Sequence, residues 1–241
     1  MLKRVLTTLF TVASISIASE ASDVVPSVAH ISSYQATYDY YSLGDHQQKS
    51  YAGRWTDEVI INQATISRTV ERKTPEGETD LIRTVVADAK TLAPVFLQQR
   101  FGKNLQSVFY SDFQQSTLQQ FFLSSPDAAA RRLATPLSQT PVEVNLQGLL
   151  AAALPLKQQN SITVTSYVAG AAPAITQTTF EVTGKETITI HGENFETWKI
   201  HEPQSQWTYW VQSEFPYLIQ VLHPSPSGEM LLSEIKSGSQ Q

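Results

Sequence analysis

Not one of the 241 residues is a cysteine. This excludes disulfides, thiolate metal ligands, a cysteine nucleophile and a lipid-modified cysteine anchor. Basic residues are few: 17 Lys and Arg stand against 22 Asp and Glu, for a formal charge of −5 and no dense basic run. Nucleic acid is not an expected partner, because phosphate contacts need clustered cations. The 10 Gly and 12 Pro are too few for a collagen-like or low-complexity chain. Long apolar runs are absent too, none reaching the roughly 20 residues of a spanning helix. At 41% hydrophobic residues the chain is too apolar for disorder. A chain of this size buries about 70% of its unfolded surface and needs no cross-links to hold a core.

Catalytic signatures are missing as well. There is no HExxH, no GxSxG, and no GxGxxG or GxxxxGK loop. The five histidines (His30, His46, His191, His201 and His223) include no i, i+4 pair. His191 and His201 fall on neighbouring expected strands, without carboxylates at ligand spacing, and read as strand-end residues. No metal and no cofactor is expected. The acid pairs Glu193 with Glu196 and Asp57 with Glu58 are the type a glycoside hydrolase uses. They fall near expected turns, where acids are ordinary solvated surface, so a carboxylate-dependent hydrolase is the weakest reading and no catalytic residue is assigned.

What is present begins with an export pattern. Lys3 and Arg4 precede the uncharged run Val5 to Ala18, and Ser19-Glu20-Ala21 places small residues at −3 and −1. Cleavage after Ala21 is expected, with Ala18 the alternative. Removal of residues 1–21 leaves a chain one unit more acidic and with no transmembrane anchor. It belongs in the periplasm or outside the cell. Residues 22–33 read as a flexible lead-in, 34–236 as one β domain and 237–241 as a polar tail.

Period-2 alternation dominates the domain. Tyr34, Ala36, Tyr38 and Tyr40 share one strand face. Further strands are expected at Trp55–Ile61, Ala64–Arg72, Leu81–Ala87, Pro94–Phe101, Leu105–Tyr110 and Ser116–Leu123. Between Pro126 and Pro136 the run DAAARRLA has the composition of a short helix. Leu146, Leu149, Leu150, Ala153 and Leu154 recur at helical spacing and predict an amphipathic helix near 145–154, with Asn145 as N-cap and Pro155 as stop. Strands resume at Ser161–Val168, Gln177–Gly184, Thr187–His191, Phe195–His201, Gln206–Ser213, Tyr217–Leu222 and Met230–Ile235. A strongly curved antiparallel sheet partly enclosing the helix satisfies this order.

Aromatic residues crowd one stretch: Trp198, Trp207, Tyr209, Trp210, Phe215 and Tyr217. Alternation puts Trp207 and Tyr209 on one face and Trp210 on the other. These rings are either core packing or the lining of an apolar pocket. In the second case Trp198, Trp207, Tyr209 and Trp210 make its floor, with Leu149, Leu150 and Leu154 as the lid.

Two stretches carry a resemblance. One is Asp88-Ala89-Lys90-Thr91-Leu92-Ala93-Pro94, a D-x-x-T-L-x-P link. The other is 184–235, with its T-W-K-I strand at 197–200, W-x-Y-W at 207–210, P-Y-L-I at 216–219 and G-E-M-L-L-S-E-I at 228–235. Together they resemble the exported bacterial family filed as domain of unknown function 3108. More distantly, the plan is similar to the half-open β-barrels of the Lol lipoprotein carriers. The resemblance implies a fold and a compartment but no activity, and its motifs read as packing signatures. The leading expectation is a non-catalytic binding or chaperone-like module whose apolar cavity takes a lipid, acyl chain or envelope polymer. An envelope assembly partner binding another protein through a sheet edge is the alternative.

Overall fold

The computed structural model describes residues 26–114, 117–143, 146, 148–157, 160–168, 174–225 and 227–240. The first half of the chain supplies β1 (Tyr34–Leu43), β2 (Lys49–Ile61), β3 (Thr65–Lys73), β4 (Thr79–Asp88), β5 (Pro94–Phe101), β6 (Ser107–Gln114), β7 (Thr117–Leu123) and β8 (Arg131–Pro136). Next come β9 (Val142–Glu143) and the helix α1 (Gly148–Ala152). The second half adds β10 (Asn160–Val168), β11 (Ala174–Ile190), β12 (Glu193–Glu202), β13 (Trp207–Val211), β14 (Leu218–Pro224) and β15 (Met230–Gln240).

All of these strands join one sheet in the order β8-β7-β6-β5-β4-β3-β2-β1-β15-β14-β13-β12-β11-β10-β9. Fourteen run antiparallel, and two-residue β9 pairs parallel with β10. Each half is a meander of hairpins, and the halves join where β1 pairs with β15. The sheet does not close into a barrel: β8 and β9 lie at its opposite edges, unpaired with each other among the described residues. Yet residues 137–141 connect them directly. Side chains also meet across the sheet order. The Tyr167 hydroxyl of β10 lies 2.5 Å from Gln120 Nε2 of β7 and 2.8 Å from Ser111 Oγ of β6. The Phe113 ring of β6 packs edge-on against it at 4.9 Å.

Alternation gives the sheet one core face. Tyr34, Ala36 and Tyr38 of β1, Val59 of β2, Ile66 of β3, Val85 of β4, Ile200 of β12 and Val211 of β13 are fully buried there. Turn chemistry sets the hairpins. Asp88 Oδ1 accepts from the Lys90 and Thr91 backbone N–H groups and the Thr91 hydroxyl, while the buried Leu92 returns its N–H to the Asp88 carbonyl. The D-x-x-T-L-x-P stretch is therefore a side-chain-capped turn between β4 and β5. Those Thr91 donors hold the Asp88 carboxyl below its ordinary range.

Five sequence expectations change. Among the described residues the α-helix covers Gly148–Ala152 with Leu146 in a 3₁₀ turn before it, and Gly148, Leu149, Leu150, Ala151 and Ala152 are all buried. It is therefore apolar on every side rather than amphipathic, as a helix inside a core must be. The run DAAARRLA is not helical: Arg131–Pro136 pairs with β7, so sheet hydrogen bonds override the helix propensity of Ala and Arg. Gln177–Gly184 and Thr187–His191 are one strand, because Gly184, at φ 145°, marks a bulge rather than an end. The polar tail is strand too: Ser237, Gly238, Ser239 and Gln240 pair with Thr37, Ala36, Gln35 and Tyr34. At Gly238 a Cβ would stand 2.6 Å from Phe215 Cζ, so ring packing demands glycine there. Finally, the described part of the lead-in is anchored. Val28 and Ile31 are buried, Ser27 N–H donates to the Ala153 carbonyl, and Ser32 N–H to the Tyr217 hydroxyl. The expected signal peptide, its cleavage site and the Asn145 cap lie outside the described residues.

Candidate functional site

The core face carries charge where an alternating strand should not. Asp57 falls between Trp55 and Val59 on β2, and Arg68 between Ile66 and Val70 on β3; both side chains are 1% exposed. They form a two-pronged pair, Nε to Oδ1 at 2.8 Å and Nη2 to Oδ2 at 2.9 Å. Arg68 Nη1 also donates to the Leu146 carbonyl at 2.7 Å, and the Tyr34 hydroxyl donates to Asp57 Oδ2 at 3.2 Å. Burial alone would lower the Arg68 pKa; the Asp57 carboxylate outweighs it and leaves the guanidinium firmly charged. Arg68 thus ties the helix approach to the sheet.

Beyond this pair the same face opens into a cavity of about 390 Å³. Its apolar wall comes from Trp55, Val70, Leu81, Trp207, Val221 and Leu231. Tyr40, Arg72, Arg83, His223, Ser225 and Ser233 supply polar groups, and no described lining residue is acidic. Seven consecutive strands of the sheet order, β4 through β1 and β15 through β13, contribute. The cavity and α1 lie toward opposite ends of β14: Gly148 packs on Leu218 at its start, while His223 and Pro224 line the cavity at its end.

The polar groups are held in place. Asp80 takes Arg72 Nε at 2.8 Å and Nη2 at 2.9 Å, and Gln99 Oε1 takes Arg83 Nε at 2.9 Å. Burial pulls the Arg72 pKa down, and Asp80 more than restores it. His223 stacks on Trp207, centroids 4.3 Å apart and planes 18° from parallel. Its Nδ1 sits 3.3 Å from the Pro224 carbonyl; a carbonyl only accepts, so the neutral ring keeps its proton on Nδ1 and its lone pair on Nε2. Burial, joined by the Arg72 charge, pushes the His223 pKa down. Trp55 packs against Tyr38 at 4.7 Å, and its Nε1 is buried without a hydrogen-bond partner.

Of the seven residues singled out from the sequence, Trp207 lines this cavity. Leu149, Leu150 and Leu154 share one packed core cluster with Tyr209, and Trp198 packs on its border. Tyr209 donates to Glu202 Oε2 at 3.0 Å. Trp210 is on the outer face, as alternation requires, where its Nε1 donates to Glu186 at 3.0 Å and Lys199 covers its ring. That indole holds the Glu186 carboxyl below its ordinary range. The sequence reading missed Trp55, Leu81, Leu231, Arg72 and Arg83. Arg72 and Trp55 continue the apolar faces of β3 and β2, and a charged residue in such a row is the signal that was available.

The acid pairs do not converge. Glu193 and Glu196 are exposed, Glu196 accepts from the Thr187 hydroxyl, and Asp57 is mid-strand and committed to Arg68 rather than near a turn. His191 sits at the β11–β12 turn and His201 near the far end of β12, where it meets Thr208 at 3.2 Å. No group of three or more His, Asp or Glu among the described residues is placed to hold a metal ion. No helix among them is long and apolar enough to cross a membrane. No family model matches the chain, and no curated protein matches it.

Proposed function

We propose that this protein is an exported, non-catalytic binding module of the bacterial envelope. Its sheet is strongly curved into a half-open barrel that takes a hydrophobic ligand such as a lipid, acyl chain or envelope polymer. The observation that carries the reading is the apolar-walled cavity on the core face, about 390 Å³, within the range of small-molecule sites. Strand spacing supports the curvature. At about 4.8 Å per strand, a flat sheet would set Leu81 of β4 and Trp207 of β13 roughly 29 Å apart, yet both line one cavity. The link 137–141 argues the same way, because so few residues reach only about 22 Å. The resemblance to the domain of unknown function 3108 family and the N-terminal export pattern support the compartment.

The test is titration of the full chain with the neutral dye N-phenyl-1-naphthylamine. Saturable, one-to-one binding with energy transfer from tryptophan is expected, weakened by Trp207→Ala; a linear, unsaturable signal would overturn the reading.

A second reading, an envelope partner docking at a sheet edge, is favoured by β8. It pairs only with β7 among the described residues, Arg131 to Ala134 are exposed, and Leu133 is 48% accessible. Such an edge accepts an added strand. Crosslinking at Leu133 in whole cells would identify a partner there.

A further inference from the structure

We infer that the cavity selects an anionic amphiphile, its apolar portion held between Trp55, Trp207 and Leu231 and its carboxylate or phosphate head facing Arg72 and Arg83. This rests on the reading of the cavity as a ligand site and names the chemistry of its ligand.

Three observations point to a negative head. The lining holds two guanidinium groups and no described acid. Arg72 and Arg83 are diagonal neighbours on adjacent strands, since Arg72 pairs in register with Leu81 and Val70 with Arg83. Diagonal partners stand about 7–8 Å apart, close enough for two long side chains to share one anion. Asp80 uses Nε and one Nη2 hydrogen of Arg72, leaving donors that a second oxyanion can take.

The apolar half is equally specific in size. At about 30 Å³ per water-sized volume, the cavity holds roughly a dozen heavy atoms, the size of a ten-carbon chain with its head. Trp207 is fixed by its stack on His223, and Leu231 is 6% exposed, so the wall is set before a ligand arrives.

The experiment is displacement of bound N-phenyl-1-naphthylamine from the full chain by decanoate, monodecyl phosphate and 1-decanol. At least one anion is expected to displace the dye at about a tenfold lower concentration than the alcohol. Decanoate ahead of the phosphate would indicate a fatty-acid-like ligand, and the reverse a phospholipid-like one. In Arg83→Gln and Arg72→Gln the anion-to-alcohol ratio should fall toward one, whereas Arg83→Lys should keep most of it. If the glutamine variants do not fold, raising the salt should shrink the ratio in the native chain. Equal displacement by decanol and both anions, or a ratio indifferent to salt and to both glutamine changes, would overturn the anion selection and leave the cavity intact. No dye binding would instead overturn the ligand-site reading itself.

Discussion

At the scale of single residues, two charged side chains in a β core make the sharpest claim. Arg68 and Asp57 are nearly inaccessible and satisfied by each other, by Tyr34 and by the Leu146 carbonyl. Breaking such a pair leaves an uncompensated buried charge, so Arg68→Met should cost about 3–5 kcal/mol in urea unfolding. The double change Asp57→Leu with Arg68→Met should recover most of that loss. A single variant as stable as the parent would contradict the pairing. His223 makes a second claim. Its folded pKa is depressed by burial, while in the unfolded chain the ring titrates near about 6.5. Below that pH the unfolded state binds more protons, so this contribution is complete above about 6.5 and lost as pH falls through the folded pKa. Thermal melts from about pH 7.5 to 5 should show a decline that His223→Gln flattens; an unchanged slope would mean the ring titrates normally.

At the scale of elements, legibility followed local signal. Pro94–Phe101 is legible because proline opens it and the apolar run Val95-Phe96-Leu97 follows the Asp88–Ala93 turn, and β5 has those same bounds. Arg131–Pro136 shows no alternation and no buried face, since an exposed edge strand has no core to write a pattern for. The apolar phase from Leu146 to Leu154 is legible because both ends are buried, with Leu146 in a 3₁₀ turn before α1 and the Ala153 N–H returning to the Leu149 carbonyl after it. Gly148 reports how closely α1 approaches β14: a Cβ would stand 2.4 Å from Leu218 Cδ2. Alanine would add about 1 kcal/mol of helix propensity, but overpacking against a buried leucine costs about 1–3 kcal/mol. Gly148→Ala should therefore destabilise by about 1 kcal/mol, and less in a Leu218→Ala background. A stabilising Gly148→Ala would show that the contact is loose.

At the scale of the whole molecule, the cavity was the least legible feature. It draws on seven strands, and the β1–β15 pairing that joins the two halves links residues nearly two hundred positions apart. Alternation gives the face of Trp207 but not what stands opposite it. Curvature belongs to this scale as well. A compact chain of this length has a radius of gyration of about 18 Å, whereas a flat sheet of fifteen strands, roughly 67 Å wide, would exceed about 20 Å. Small-angle scattering should return the smaller value, and the larger would contradict a half-open barrel.

The most direct test of the proposed ligand-carrying role is native mass spectrometry of the protein purified gently from its native cells. The expected result is a reproducible extra mass, released on unfolding, that fragments as an amphiphile with an anionic head. A bare polypeptide mass, unchanged after incubation with total envelope lipid, would contradict that role.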